Sequence, residues 1–334
     1  MNFTKPKNYE SILDLRKTQM AIKILKDSFE DTLSKDLHLT RVSAPLFVER
    51  SSGLNDNLSG DESPVKFVAE HIDEGLEIVH SLAKWKRAAL SNYKMAISEG
   101  IYTDMNAIRK NEALSNMHSI YVDQWDWELV ISEKDRNLEF LENIVYKIYK
   151  VFLKTENLIL SKFPELESQL PEKITIISTQ ELEDMYPNLS PSEREYEITK
   201  EKGAVFLTSI GKILKSGKNH EKRAPDYDDW NLNGDFIFWN KTLNCPIELS
   251  SMGIRVNAEV MISQLEAAGA TERLKYSFHK MLMENKLPQT IGGGIGQSRL
   301  CMFFLQKAHI GEVQVSVWSY DMKKACEENN IILL

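Results

Sequence analysis

The chain has 334 residues, with 41 Lys or Arg against 49 Asp or Glu, a formal charge of −8. That balance argues against a protein held on nucleic acid or anionic lipid mainly by electrostatics, which takes clustered cationic charge, yet it leaves room for a local phosphate pocket. At 42% hydrophobic and 27% charged the composition is that of a folded globular protein, and wholesale disorder is excluded.

In residues 11–37, Ile12, Leu15, Ile22, Leu25, Phe29 and Leu33 recur mostly at three or four positions, which predicts a long helix. Residues 41–50 hold Val42, Leu46, Phe47 and Val48 around Pro45, a strand edge or entry bend, because proline cannot donate a ladder hydrogen bond. A polar loop is expected over 51–61, a short strand over 76–80 and an amphipathic segment around Trp85 to Leu90. Over 118–131 an alternating pattern predicts a strand with Gln124 and Asp126 on one side. A long helix follows near 135–162, then a strand at 173–178, a helix at 193–201 and a strand at 204–210. Further strands are expected at 236–239 and 247–256, separated by a turn at Asn244, Cys245 and Pro246. Unless a bulge interrupts the second, Glu248 and Ser250 share one face and Ser251 takes the other. Residues 271–283 read as helix, 292–296 as a turn and 297–307 as the start of the last substantial helix. The later strands follow one another and are free to pair antiparallel, so one α+β domain spanning 1–334 fits better than alternating βαβ units.

Cys245, Cys301 and Cys326 form no CxxC pair, so neither a disulfide framework nor a four-ligand zinc cage is expected. The seven histidines show no metal-ligand spacing. No apolar run approaches signal-peptide or membrane-span length, and a cytoplasmic address with no membrane partner is the expectation.

The most informative string is GGGIGQSRL, residues 292–300. Glycines let a backbone approach a ligand, a following helix start can present amide hydrogens, and Arg299 supplies a cation, a combination suited to nucleotide phosphate. The alternative is a structural turn before a helix. It is no dinucleotide fingerprint, because the downstream βαβ unit is missing, and no GxxxxGK[ST] loop occurs.

GGGIGQSRL resembles the third signature of class II aminoacyl-tRNA synthetases, and Ala107-Ile108-Arg109 with HSIYVDQWDWE, 118–128, resembles their second. RVSAPLF around Pro45 is a looser match to the first, which sits at the dimer interface. The chain is more similar still to the ammonia-dependent asparagine synthetase (aspartate–ammonia ligase) family: DNLSG at 56–60, VHSLAKWKR at 79–87, RAPDYDDW at 223–230, LNGD at 232–235 and ELSSMGIR at 248–255 come in the expected order. The connection between Trp230 and Leu232 is shorter than that family's.

The resemblance implies a class II synthetase-like antiparallel sheet flanked by helices. It also implies ATP-dependent amidation of L-aspartate by ammonia through a β-aspartyl-adenylate, with Mg²⁺, in a homodimer that needs no tRNA. Adenylation brings an anionic nucleophile to an anionic phosphate, so cations must offset the repulsion. Arg109 is expected on the α-phosphate and attacking carboxylate, Arg299 on the distal phosphates and Arg223 as a further phosphate contact, with Gly294 and Gly296 beside the nucleotide. Glu248 and then Asp235 are the expected Mg²⁺ ligands, since Mg²⁺ usually takes one or two carboxylates plus phosphate oxygens and water. Ser251 and Arg255 are placed at the substrate. Asp126 would favour the substrate ammonium, and Gln124 could hydrogen-bond a carboxylate. Ser81 would contact the substrate and Lys86 its carboxylate, with Lys84 left open as the alternative lysine. Asp56 is the first choice for receiving ammonium and its extra proton, with Asp228 second and Tyr227 lining the same region. Each of these side chains could instead serve as a surface ion pair, a turn cap or a core contact. Two other functions remain: an aspartyl- or asparaginyl-tRNA ligase-like enzyme, for which the first 37 residues are too few to build an anticodon-binding barrel, and a catalytically silent ligand-binding regulator.

Overall fold

The computed structural model describes residues 3–56, 58 and 62–334. Within DNLSG, Asn57, Ser59 and Gly60 therefore lie outside the described residues. The elements run, in order, α1 (Leu15–Leu37), β1 (Leu39–Arg41), β2 (Phe47–Glu49), β3 (Lys66–Ala69), β4 (Ile72–Ile78), α2 (Ala83–Tyr93), β5 (Gly100–Ile108), β6 (Tyr121–Val130) and α3 (Leu138–Lys162). Then come β7 (Thr175–Ser178), α4 (Thr179–Met185), α5 (Pro191–Lys202), β8 (Ala204–Thr208), β9 (Asp228–Asn240) and β10 (Cys245–Arg255). The chain ends with α6 (Ala258–Ala267), α7 (Ser277–Met283), β11 (Thr290–Gly296), α8 (Gln297–Phe304) and α9 (Tyr320–Glu327).

Eight strands form one sheet in the order β1-β5-β6-β11-β10-β9-β8-β7, and β2-β4-β3 form a small separate sheet. Pairing in the large sheet is antiparallel except at its ends, where β1 lies parallel to β5 and β7 to β8. One face of this sheet is the main core. Trp125, Trp127, Phe236, Phe238, Met252, Ile254, Ile291 and Ile295 pack there against α1, α3 and α8. Phe29 of α1 stacks on Trp125 at 4.9 Å between ring centres, and Phe152 of α3 meets Phe236 at 5.6 Å. Side chains alternate across a strand, so burying Trp125 and Trp127 commits Gln124, Asp126 and Glu128 to the opposite face. That opposite face is polar over β6, β11 and β10, and α2 packs beside it.

Two expectations about this sheet are corrected. Residues 292–296 are part of strand β11, paired to β6 and β10, and not a turn. The glycines at 292 and 294 are required because a neighbour needs the space. A Cβ on Gly292 would stand 1.9 Å from Glu128 Oε2, and one on Gly294 2.5 Å from Gln124 Oε1. Within β10 the register to β9 shifts between Glu248 and Ser250, a bulge that reverses the alternation. Leu249 and Met252 therefore both face the core, and Glu248 lies on the same cavity wall as Ser251, not with Ser250.

The long helices, β6, β7, β8 and β10 lie where the sequence pattern puts them. Cys245 and Pro246 belong to β10, and only Asn244 of that trio is left in the turn, with φ +52°. The region 271–283 is a 3-10 turn over Thr271–Lys275 followed by α7, separated by extended Tyr276. No helix among the described residues is long and apolar enough to cross a membrane.

Candidate functional site

The polar face of the sheet, α2 and the segment before β9 enclose a cavity of about 310 Å³. Its wall carries Ser81, Lys86, Arg109, Gln124, Asp126, Arg223, Tyr227, Asp228, Glu248, Ser251, Arg255, Gly294, Gly296 and Arg299, so fourteen of the sixteen proposed site residues meet in one place. Residues as far apart along the chain as Ser81 and Arg299 converge here because β6, β11 and β10 are neighbours in the sheet although far apart in sequence.

Along the floor of the cavity runs a chain of buried opposite charges. Lys86 Nζ pairs with Asp126, donates to the Gly293 carbonyl at 2.9 Å and lies 3.8 Å from Glu128. Glu128 accepts from Arg255 through Nε at 2.9 Å and Nη2 at 2.7 Å, and from Thr290 Oγ1 at 2.7 Å. The remaining Arg255 nitrogen donates to Asp228. Burial pushes the Glu128 carboxyl up, but Arg255, Lys86 and the Thr290 hydroxyl outweigh it and hold the group below its ordinary value. For Asp228 burial wins over Arg255 and its carboxyl is pushed up. Arg255 occupies one Asp228 oxygen, Oδ1.

Arg109 and Arg299 face the same cavity from the other side. Arg109 is half-buried, with its Nη2 3.4 Å from the His80 carbonyl and no partner for its buried Nε. Burial, and then the nearby Arg299, push its pKa down. Arg299 donates to the Glu248 carbonyl at 2.9 Å and lies 3.7 Å from that residue's carboxylate. Two guanidiniums with so little anionic compensation form an anion seat. The same field and burial push His118 down to about 4, which leaves it a neutral neighbour of the seat at pH 7.

Two expected residues are not on this wall. Asp235 lines an adjoining cavity of about 320 Å³ that shares Glu248 and Arg299 with the first. Both of its oxygens accept from Arg223 Nη2 at 2.7 Å, and Arg223 Nη1 donates to Ser251 at 2.9 Å. Without a ligand, Asp235 and Arg223 thus occupy each other, and either would have to release its partner to meet a cation or a phosphate. Burial pushes the Asp235 carboxyl up against the pull of Arg223, with Glu248 and Glu221 adding to the rise. Asp56, wholly buried, also lies off the wall. Neither of its oxygens has a hydrogen-bond partner among the described residues, and Lys84 is 3.7 Å away. Burial raises its carboxyl and Lys84 opposes the rise. Its proximity to the wall shows in Tyr227, whose phenol is pushed well up first by burial and then by Asp56.

Of the two lysines, Lys86 reaches the cavity, while Lys84 turns away to Asp226 at 2.8 Å. Among the described residues no group of three or more His, Cys, Asp or Glu side chains forms a preformed metal cage. The donors present, Glu248 with a half-exposed carboxylate and Asp235 behind Arg223, fit a cation that arrives with phosphate oxygens better than one the protein holds alone. Sequence reasoning missed Glu128 and Glu221. Glu128 was legible, because it shares the strand parity of Gln124 and Asp126. Glu221 carries no local signal, since only the folding of its loop brings it to the cavity beside Arg223.

Comparison with known proteins points the same way as the geometry. The family model for aspartate-ammonia ligase matches residues 16–330. An aspartate–ammonia ligase of Clostridium perfringens is 59% identical over 330 residues, 98% of each chain, and one of Limosilactobacillus reuteri is 56% identical over the whole of both chains. Among solved structures, the asparaginyl-tRNA synthetase of Pyrococcus horikoshii complexed with asparaginyl-adenylate superposes with a TM-score of 0.67 at 14% identity, covering 90% of this chain and 68% of that one. The aspartyl-tRNA synthetase of Entamoeba histolytica gives 0.60 at 15% identity, over 89% and 58%. These structural likenesses carry the fold alone, that of the class II synthetases, as the sequence signatures implied. The full-length match in sequence carries more: this chain belongs to the aspartate–ammonia ligase family.

Proposed function

We propose that the chain forms L-asparagine from L-aspartate, ammonia and ATP, releasing AMP and diphosphate by way of a β-aspartyl-adenylate. A carboxylate is a poor electrophile because oxide leaves badly, and transfer of AMP makes a mixed anhydride from which ammonia can expel AMP. The observation that carries the reading is one cavity with two seats, a Lys86–Asp126 pair for a zwitterion and an Arg109–Arg299 pair for an anion.

An amino acid can replace the Lys86–Asp126 pair without stranding either charge, its ammonium going to Asp126 and its α-carboxylate to Lys86, with Gln124, Ser81 and Ser251 as hydrogen-bonding neighbours. The β-carboxylate then meets the α-phosphate between Arg109 and Arg299, whose field offsets the repulsion between two anions. Arg255, held by Glu128 and Asp228, fixes the far wall and limits the length of side chain accepted. Mg²⁺, held by Glu248 and by Asp235 once Arg223 gives it up, would supply charge neutralisation on the phosphates. Gly294 and Gly296 leave the space above β11 in which ligand and Gln124 sit side by side. Asp56 takes the ammonium and its extra proton, with Tyr227 between it and the reacting centre. The same reading takes residues 1–334 as one catalytic domain working in the cytoplasm, as a homodimer through the segment around Pro45, with neither tRNA nor membrane as partner.

The deciding experiment is a product-resolved assay with aspartate, ATP, Mg²⁺ and ammonium. AMP, diphosphate and free asparagine should appear together. ADP with phosphate, or charging of tRNA without free asparagine, would overturn the proposal.

A further inference from the structure

Behind the cavity lies a buried charge cluster to which the chemistry above gives no role. Lys84, on α2, is 3% exposed, and Asp226 and His279 are 0% exposed. Lys84 Nζ donates to Asp226 Oδ2 at 2.8 Å and more weakly to the Asn55 carbonyl at 3.4 Å, while Asp56 Oδ1 lies 3.7 Å away, beyond a hydrogen bond. The same Asp226 oxygen accepts from His279 Nε2 at 2.9 Å and from Arg273 Nη1 at 3.3 Å. Lys84 thus stands between two buried carboxylates and is committed to one of them. Asp226 collects three donors on one oxygen, and Asp56 collects none among the described residues.

This asymmetry has a cause. Burial alone would raise both carboxyls, but Lys84, the His279 hydrogen bond and Arg273 hold Asp226 low, whereas Asp56 has the more distant Lys84, with smaller help from Ser81 and Arg255, and stays raised. A lysine ammonium and a free ammonium ion offer a carboxylate the same N–H donors. If Lys84 closed the 3.7 Å gap, it would fill the seat that ammonium must take on Asp56.

Building on the proposed function and on the ammonia-side role of Asp56, we propose that Asp226 is a positioning residue. It holds Lys84 back from Asp56, too far to bond it, so that Asp56 stays open to ammonium. His279 and Arg273 anchor Asp226 for this purpose.

The test separates the ammonium step from adenylation in the full-length protein. Asp226→Asn removes the charge that retains Lys84. Its KM for ammonium should rise about tenfold, the scale of one charge-assisted hydrogen bond, while aspartate-dependent ATP–pyrophosphate exchange without ammonium stays within about twofold. Adding Lys84→Gln to Asp226→Asn should recover part of the ammonium affinity, since the competing cation is gone. His279→Leu, which keeps Asp226 ionised but takes one anchor, should raise the same KM by a smaller factor, and His279→Gln, which keeps a donor, should not. An ammonium KM unchanged in both Asp226→Asn and His279→Leu would overturn the proposal, as would a double variant no better than Asp226→Asn. Asp56→Asn serves as the reference. If it abolishes ammonium use while Asp226→Asn behaves as wild type, the positioning role falls and the function stands. If Asp56→Asn itself leaves ammonium use intact, the assignment of Asp56 falls, and this inference with it.

Discussion

Adjacent glycines in β11 should fail in opposite ways when each is given a methyl group. A Cβ on Gly293 points into the core face, where it would lie 2.6 Å from Met252 Cβ and 2.6 Å from the Ser251 carbonyl of the paired strand. Both obstacles are next to or part of backbone, so relief requires β10 and β11 to part, and overpacking of this kind costs about 1–3 kcal/mol. A Cβ on Gly294 points to the cavity and meets Gln124 Oε1 at 2.5 Å, Gln124 Cδ at 3.0 Å and Asp126 Oδ1 at 3.4 Å. The first obstacle is the far end of a flexible side chain, which can swing aside into the cavity. That swing should change stability by less than about 1 kcal/mol, because a glycine replaced within a strand also regains roughly 0.5–1 kcal/mol of conformational entropy. It does displace a group assigned to the substrate, and loss of one good hydrogen bond, about 1.4 kcal/mol, is a tenfold change in affinity. Gly293→Ala should therefore lower the urea midpoint and leave the KM for aspartate near wild type in the protein that remains folded. Gly294→Ala should keep the midpoint and raise that KM about tenfold. Urea titrations and aspartate-dependent ATP–pyrophosphate exchange measure the two quantities on the same samples. Equal losses of stability, or an aspartate KM untouched in Gly294→Ala, would show that the side of the strand on which the space lies does not decide its use.

Two further outcomes follow from the charges of the site. Arg109→Ala should slow the exchange reaction by about 100-fold or more, as removal of one preorganised donor does elsewhere, without lowering the melting temperature, because the guanidinium forms no ion pair among the described residues. Glu128→Gln should cost about 3–5 kcal/mol at neutral pH, since it leaves Arg255 and Lys86 short of an anion in the interior. The folded-state pKa of Glu128 is depressed, so its contribution is present above the unfolded value of 4.5 and is lost as pH falls through the folded value. Urea midpoints of the wild type should fall as the pH drops from 4.5 towards the folded value, and those of Glu128→Gln should fall less over the same range.

Much of the site was legible because strands and helices of strong period carry it. The alternation in β6 put Gln124 and Asp126 on one side, and two burying tryptophans enforced that choice. Where legibility failed, the failure has a physical origin. Strand β9 begins with Asp228, Asp229, Asn233 and Asp235, all buried, and polar residues of that kind read as loop until the partners that neutralise them are known. Strand β11 reads as a turn because glycine is the usual residue of turns. Its glycines answer to side chains from β6 across the ladder, and no local rule contains that information. The bulge in β10 is of the same kind: Glu248 and Ser251 share a wall only because one residue of register is lost against β9. Lys84 and Lys86 could not be told apart by spacing, since both lie on the buried side of α2 and only the acids facing them differ.

The phosphate side of the cavity poses a balance that Arg223 resolves. Glu221, Asp235 and Glu248 crowd one region, and burial with these acids raises the Asp235 carboxyl while Arg223 pulls it down. Arg223 takes both Asp235 oxygens at 2.7 Å and also bonds Ser251, so the guanidinium holds the oxygens a divalent cation would need. Metal and arginine are then alternatives at Asp235, and the wild-type protein should bind Mn²⁺ weakly when no nucleotide is present to draw Arg223 onto phosphate. Arg223→Gln removes the charge and keeps a hydrogen-bonding side chain of similar reach. Coulomb attraction to two freed carboxylate oxygens should then tighten nucleotide-free Mn²⁺ binding by about tenfold, measured by calorimetry or by loss of the free-ion resonance signal. An unchanged Mn²⁺ affinity would mean that Asp235 is not a metal ligand, and that its carboxylate exists to hold Arg223 in place for the phosphates instead.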